Sequence, residues 1–209
     1  MRAFLYENRT WLKIVMTESI TPHSITPHSI TPRSILDYWY SDRIKSGWFN
    51  STKELDQEIK KNYETIWKAA IKGKLSSWKE SAEGCLALAI ILDQFPLNMF
   101  RGEVKSFSTE AMAVKVTKLA IKNNFDKLID KDKIAFLYMP LMHSENIDDQ
   151  NLSVRLFEEA GLEDNAKFAK HHRTIVEKYG RFPHRNEILN RESTEEELNY
   201  LESDKAFKG

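Results

Sequence analysis

Three polar stretches of the chain hold the residues able to do chemistry. The first, LDQFPLNMFRG at 92–102, closes an apolar run with Asp93 and Gln94 and carries Arg101. A carboxylate at the rim of an apolar helix needs a partner to stay charged. Arg101 is the nearest base, so the stretch reads either as an Asp–Arg brace or as part of a ligand site. The second, YMPLMHSENIDDQ at 138–150, puts His143 and Glu145 in an expected loop, with Gln150 beyond. A His-x-Glu pair supplies two metal ligands, or an acid–base group with its orienting carboxylate. Local spacing offers no third ligand, so no metal is assigned.

The third stretch, HHRTIVEKYGRFPHRN at 171–186, is the richest. His172 falls on the stripe of Ala169, Val176 and Tyr179, while His171 groups with Lys167, Thr174 and Lys178 on a wet face. The helix then runs into Arg181, His184, Arg185 and Asn186 around a Gly turn and a Pro. Residues 166–191 hold seven Lys or Arg against two acids, and 192–204 hold six acids and no base. Guanidiniums bunched on a turn suit bidentate binding of phosphate or carboxylate. The plainer alternative pairs this basic segment with the acidic one that follows or with helix C-termini nearby.

The rest of the chain bounds what these stretches can serve. With 31 basic and 31 acidic residues the 209-residue chain is formally neutral, which argues against a general nucleic-acid binder. No aromatic base-stacking signature accompanies the basic residues, and Trp39, Trp48, Trp67 and Trp78 read as core anchors. The single cysteine, Cys85, lies in an apolar run and reads as a small buried hydrophobe. No apolar run is long enough to span a membrane, and no secretory signal is seen, so the expected location is the cytoplasm.

Seven glycines and six prolines are too few for the turns of a β-sandwich or barrel. Residues 1–34 read as a flexible leader, because SITPHSITPHSITPRSI at 19–35 repeats a five-residue unit rich in proline. His23 and His28 in that repeat would bind a metal only weakly, and Met16 is an alternative start. An all-helical domain is expected over 35–209. Ser51 and Glu54 have capping-box spacing ahead of Leu55, Ile59, Tyr63, Ile66, Trp67 and Ala70, with Gly73 to end the helix. CLALAIIL at 85–92 predicts a central buried helix. Further helices are expected around Phe107–Ile121, Ile134–Leu141, Leu152–Phe157 and Ala169–Tyr179, and a last one opens at a Thr194–Glu197 capping box.

The segments LDYWY at 36–40, WF at 48–49, LDQFPLNMFRG at 92–102, YMPLMHSE at 138–145 and HRTIVEKYGRFPHRN at 172–186, followed by Arg191-Glu-Ser-Thr, resemble the family called domain of unknown function 924. The resemblance covers residues 35–203. It implies an all-α, tetratricopeptide-like array of antiparallel helix pairs in a single domain, and no established activity. By resemblance His172, not His171, takes the motif position. The resemblance also implies that Arg usually stands where this chain has Leu97, so a pocket to which that arginine contributes is expected to be less basic or altered here.

Two functions follow. In the first, the protein binds a peptide or protein partner, or a small anionic ligand, through Asp93, Gln94, Arg101, Gln150, His172, Arg181, Arg185 and Asn186. In the second it is an enzyme on a small anionic or phosphorylated substrate, with His143 or His184 and Glu145 doing acid–base work. No phosphate loop, nucleophile elbow or cofactor motif names a reaction. What separates the two is whether the three stretches meet around one cleft or pair off in separate ties.

Overall fold

The computed structural model describes residues 30–48, 50–204 and 206–207. The ITPHS repeats with His23 and His28, and Met16, lie outside the described residues. The last repeat unit does not: Thr31 caps the first helix and Pro32 opens it, so the fold starts slightly before residue 35.

Among the described residues the protein is all-α, with no strand. The helices are α1 (Pro32–Trp39), α2 (Asp42–Lys45), α3 (Lys53–Ile71), α4 (Ala82–Ala89), α5 (Phe95–Met99), α6 (Glu110–Lys122), α7 (Ala135–His143), α8 (Ile147–Glu159), α9 (Glu163–Tyr179) and α10 (Glu195–Glu202). Three-residue links join α7 to α8 and α8 to α9, so these helices pack as antiparallel neighbours. The N-cap of α3 is Thr52, one residue later than the expected Ser51; Thr52 accepts from the Leu55 amide, and Ser51 Oγ instead donates to Asp56. The expected capping box at Thr194 and Glu197 is present on α10. Gly180 ends α9 in the left-handed region, where a Cβ is disfavoured.

The central element is a single rod from Ala82 to Met99, in which α4 and α5 are joined by a wide π turn at Ile90–Gln94. Its residues from Cys85 to Phe95 are all buried, with α1, α3, α6 and α7 packed around them. Burial also raises the Cys85 thiol pKa, which leaves it inert. Pro96 accounts for the wide turn. It has no N–H to offer the Leu92 carbonyl, and its ring would crowd that oxygen in a regular helix. The freed carbonyl accepts from Thr109 Oγ1 at 2.6 Å, and Thr109 in turn accepts from Trp67 Nε1 at 3.2 Å. A buried acceptor that would cost about 1–3 kcal/mol if left bare is thereby satisfied. Trp39 and Trp67 are core residues as expected; Trp48 and Trp78 pack against the core from its edge.

Candidate functional site

The π turn puts two adjacent polar residues, Asp93 and Gln94, inside the protein, 4 % and 7 % exposed. π turns inside α-helices recur at functional sites because they re-aim side chains without breaking the helix. Here the side chain presented is a carboxylate. His143, the last residue of α7, brings Nδ1 to 3.0 Å from both Asp93 oxygens, and Gln94 Nε2 donates to Asp93 Oδ2. With Nδ1 held by a carboxylate, the ring orientation is fixed and Nε2 is the nitrogen left for other chemistry. Burial works against a charged imidazole, but the charge and hydrogen bond of Asp93 outweigh it and hold the His143 pKa above its ordinary value.

Arg185 completes the wall. Its Nη1 donates to Glu110 Oε2 at 2.8 Å and its Nη2 to the His143 carbonyl at 2.9 Å, while the guanidinium lies over the rings of Phe107 and Phe182. Arg185 is 6 % exposed, and its buried Nε has no acceptor among the described residues. Burial is the largest influence on Glu110 and pushes its carboxyl pKa up, against the pull of Arg185 and His143. Asp93, Glu110, His143 and Arg185 face one narrow cleft of about 10 Å³, with apolar walls from Leu92, Leu97 and Phe107. The three polar stretches therefore do meet, through one residue each. Leu97 stands at this cleft.

Glu110 does not appear in any of the three stretches. One signal marks it: it falls three residues after Phe107 and four before Val114, an acid on an apolar stripe.

Most other candidates are held elsewhere. Arg101 does not brace Asp93; it makes a two-pronged pair with Asp56 of α3 and also donates to Asn98. Glu145 serves neither His143 nor His184. Both its oxygens accept from Arg191, and Oε1 also accepts from the Phe182 amide, so its lone pairs are used for structure. Arg191 was outside the expected site set, and it also donates to the Phe182 carbonyl and to Asn186 Oδ1. Arg181 pairs through two nitrogens with buried Glu197, and Asn186 Nδ2 donates to Ser193 Oγ and to Glu197 Oε2. Of the basic segment, Lys178 and Arg181 pair with Glu196 and Glu197 of the acidic stretch beyond it, whereas Lys167, Lys170, Arg185 and Arg191 meet carboxylates elsewhere in the fold. Gln150 Nε2 donates to the carbonyls of Met142 and Ser144, which fixes the chain on either side of His143.

His172 is buried and His171 exposed, as their faces imply. His172 Nδ1 donates to the Phe168 carbonyl, and burial lowers its pKa to about 3. Burial lowers His184 to about 4, with the Arg185 charge adding to the effect. Both imidazoles pack against Phe182 and Phe207 in an aromatic cluster rather than joining His143. Among the described residues no three His, Cys, Asp or Glu side chains are placed to hold a metal ion, and no helix is long and apolar enough to cross a membrane.

No curated protein matches the chain. A solved structure does: that of a protein of unknown function, ATU0120, from Agrobacterium tumefaciens. The two share 37 % identity and a TM-score of 0.77, over 82 % of this chain and 96 % of that one. The model of a family described as bacterial protein of unknown function, DUF924, matches residues 35–205. The motifs that meet at the cleft and the ties beside it all lie within that span, and the chain belongs to the DUF924 family.

Proposed function

We propose that the cleft of Asp93, Glu110, His143 and Arg185 binds a small anionic ligand and moves a proton at it through His143 Nε2. The carrying observation is the Asp93–His143 pair at the cleft: Asp93 holds Nδ1 and accepts also from Gln94, while Nε2 has no hydrogen-bond partner among the described residues. With both carboxylates ionised and His143 protonated, the four groups balance in charge. When Glu110 takes up a proton, which its raised pKa favours, the cleft gains one positive charge and suits an anion. His143, its pKa held above the ordinary value by Asp93, is placed to donate a proton, and Asp93 stabilises the imidazolium. Arg185 acts as a positioning residue, because its fork is committed to Glu110 and to the His143 carbonyl. Binding of a protein partner has less support, since Arg101 and Arg181 already meet carboxylates.

The test is a panel of small phosphorylated and carboxylated metabolites, read by melting temperature and by imidazole NMR. At least one is expected to raise the melting temperature and shift the His143 signals, with the rise lost in His143→Gln. A panel that never moves His143, or moves the variant equally, overturns the reading. For any ligand that is turned over, the rate should fall as pH rises through the His143 pKa. In Asp93→Asn, burial is left largely unopposed, and His143 should titrate below 6.5 rather than above it.

A further inference from the structure

On the other side of the π turn, Leu92 borders a second and larger hollow, of about 370 Å³, among the end of α3, the rod and α6. That volume falls in the range of small-molecule sites. Its floor and walls are apolar, from Leu75, Leu88, Met112, Val116 and Leu119, with Ala70 at the base. Its charged lining residues are Lys79 and Lys115, both exposed, and no carboxylate lines it. Neither lysine has an ion-pair partner among the described residues. Other lysines of the region are engaged: Lys118, on α6 with Lys115, meets Asp149, and Lys68 and Lys105 share Glu64. In a chain of zero net charge, two unpaired cations beside an apolar hollow set a definite ligand pattern.

We infer that this groove binds an amphiphile with a short alkyl or acyl chain and an anionic head. The chain would lie against Leu88, Met112 and Val116, and the head group would be met by Lys79 and Lys115. Lysine suits this role, because its apolar stem lies along the hollow while the ammonium reaches the rim. The inference does not depend on the acid–base reading of the other cleft.

The test uses decanoate, below its micellar concentration, with decanol and decyltrimethylammonium as controls, each titrated by NMR at low salt. Decanoate is expected to shift the amides of 70–79, 88–92 and 112–119, and to bind more tightly than either control. Removing both lysines in Lys79→Ala with Lys115→Ala, on exposed positions that leave the core untouched, should weaken decanoate roughly fivefold and decanol hardly at all. Added salt should narrow the difference between decanoate and decanol. Equal binding of the three probes, no binding of decanoate, or an unchanged affinity in the double variant overturns the proposal. So does self-association, seen by ultracentrifugation, that blocks the probe, since it would assign the groove to a second copy. His143→Gln should bind decanoate as the wild type does, which separates this site from the first.

Discussion

Two neighbouring clusters are built from the same residue types and end up differently. In the ties around Glu145, Arg191, Arg181, Asn186 and Glu197, each carboxylate oxygen accepts from at least one guanidinium, amide or backbone N–H. In the cleft beside them, His143 uses one nitrogen, Arg185 leaves Nε bare, and burial pushes Glu110 toward its neutral form. Saturated groups hold a fold together but have nothing left to offer a ligand. Unsaturated ones cost stability, and they are where chemistry is found. Type and spacing alone do not separate the two classes; completeness of partnering does.

Substitutions on either side should therefore fail in different ways. The largest effect is expected at Glu145→Ala, which strands the Arg191 guanidinium and the Phe182 amide. It should cost about 3 kcal/mol in urea unfolding, without changing the His143 titration. Next is Thr109→Val, which keeps shape but removes both the donor to the Leu92 carbonyl and the acceptor for Trp67. About 2 kcal/mol is expected, together with broadened signals from the π turn.

His143→Gln should cost less than about 1 kcal/mol while abolishing ligand response, the opposite pattern to Glu145→Ala. Its small cost should depend on pH. A histidine whose folded pKa is raised stabilises the fold below its unfolded value and stops doing so as pH rises through the folded one. The wild type should therefore lead the variant at pH 5 by more than at pH 8. At Glu197, where the Arg181 hydrogen bonds lower the pKa to about 2, the effect is read as a pH dependence. Stability from a depressed carboxylate is present above its ordinary value of 4.5 and is lost as pH falls toward 2. Glu197→Gln should thus lose less melting temperature than the wild type between pH 7 and pH 3.

Much of this was legible in the residues. Period-3.6 stripes placed α3, α6, α8 and α9, and Thr194, Glu197 and Gly180 marked helix ends by local chemistry that needs no distant partner. The His171 and His172 faces were likewise readable from the stripe alone. The partners were not. Arg101 finds Asp56 from 45 positions away, and His143 finds Asp93 across 50. Nearness in sequence therefore pointed to Asp93–Arg101 and His143–Glu145, neither of which forms. The π turn was hidden for a related reason. Pro96 announces a conflict, but whether the helix breaks or widens depends on Thr109, a residue from another part of the fold. Leu97, which the family resemblance singles out, lines the cleft.

The wide turn also makes the rod sensitive to its own length. A residue added to or removed from a helix rotates everything beyond it by about 100°. The turn at Ile90–Gln94 holds one residue more than ordinary helix, so deleting Ile91 would close it without that rotation but would abolish the wide turn that presents Asp93 to His143. Point substitutions can adjust the cleft by degrees, whereas a change of one codon in length has no intermediate. The spacing between Cys85 and Pro96 is thus a quantity that inheritance can only keep or lose whole.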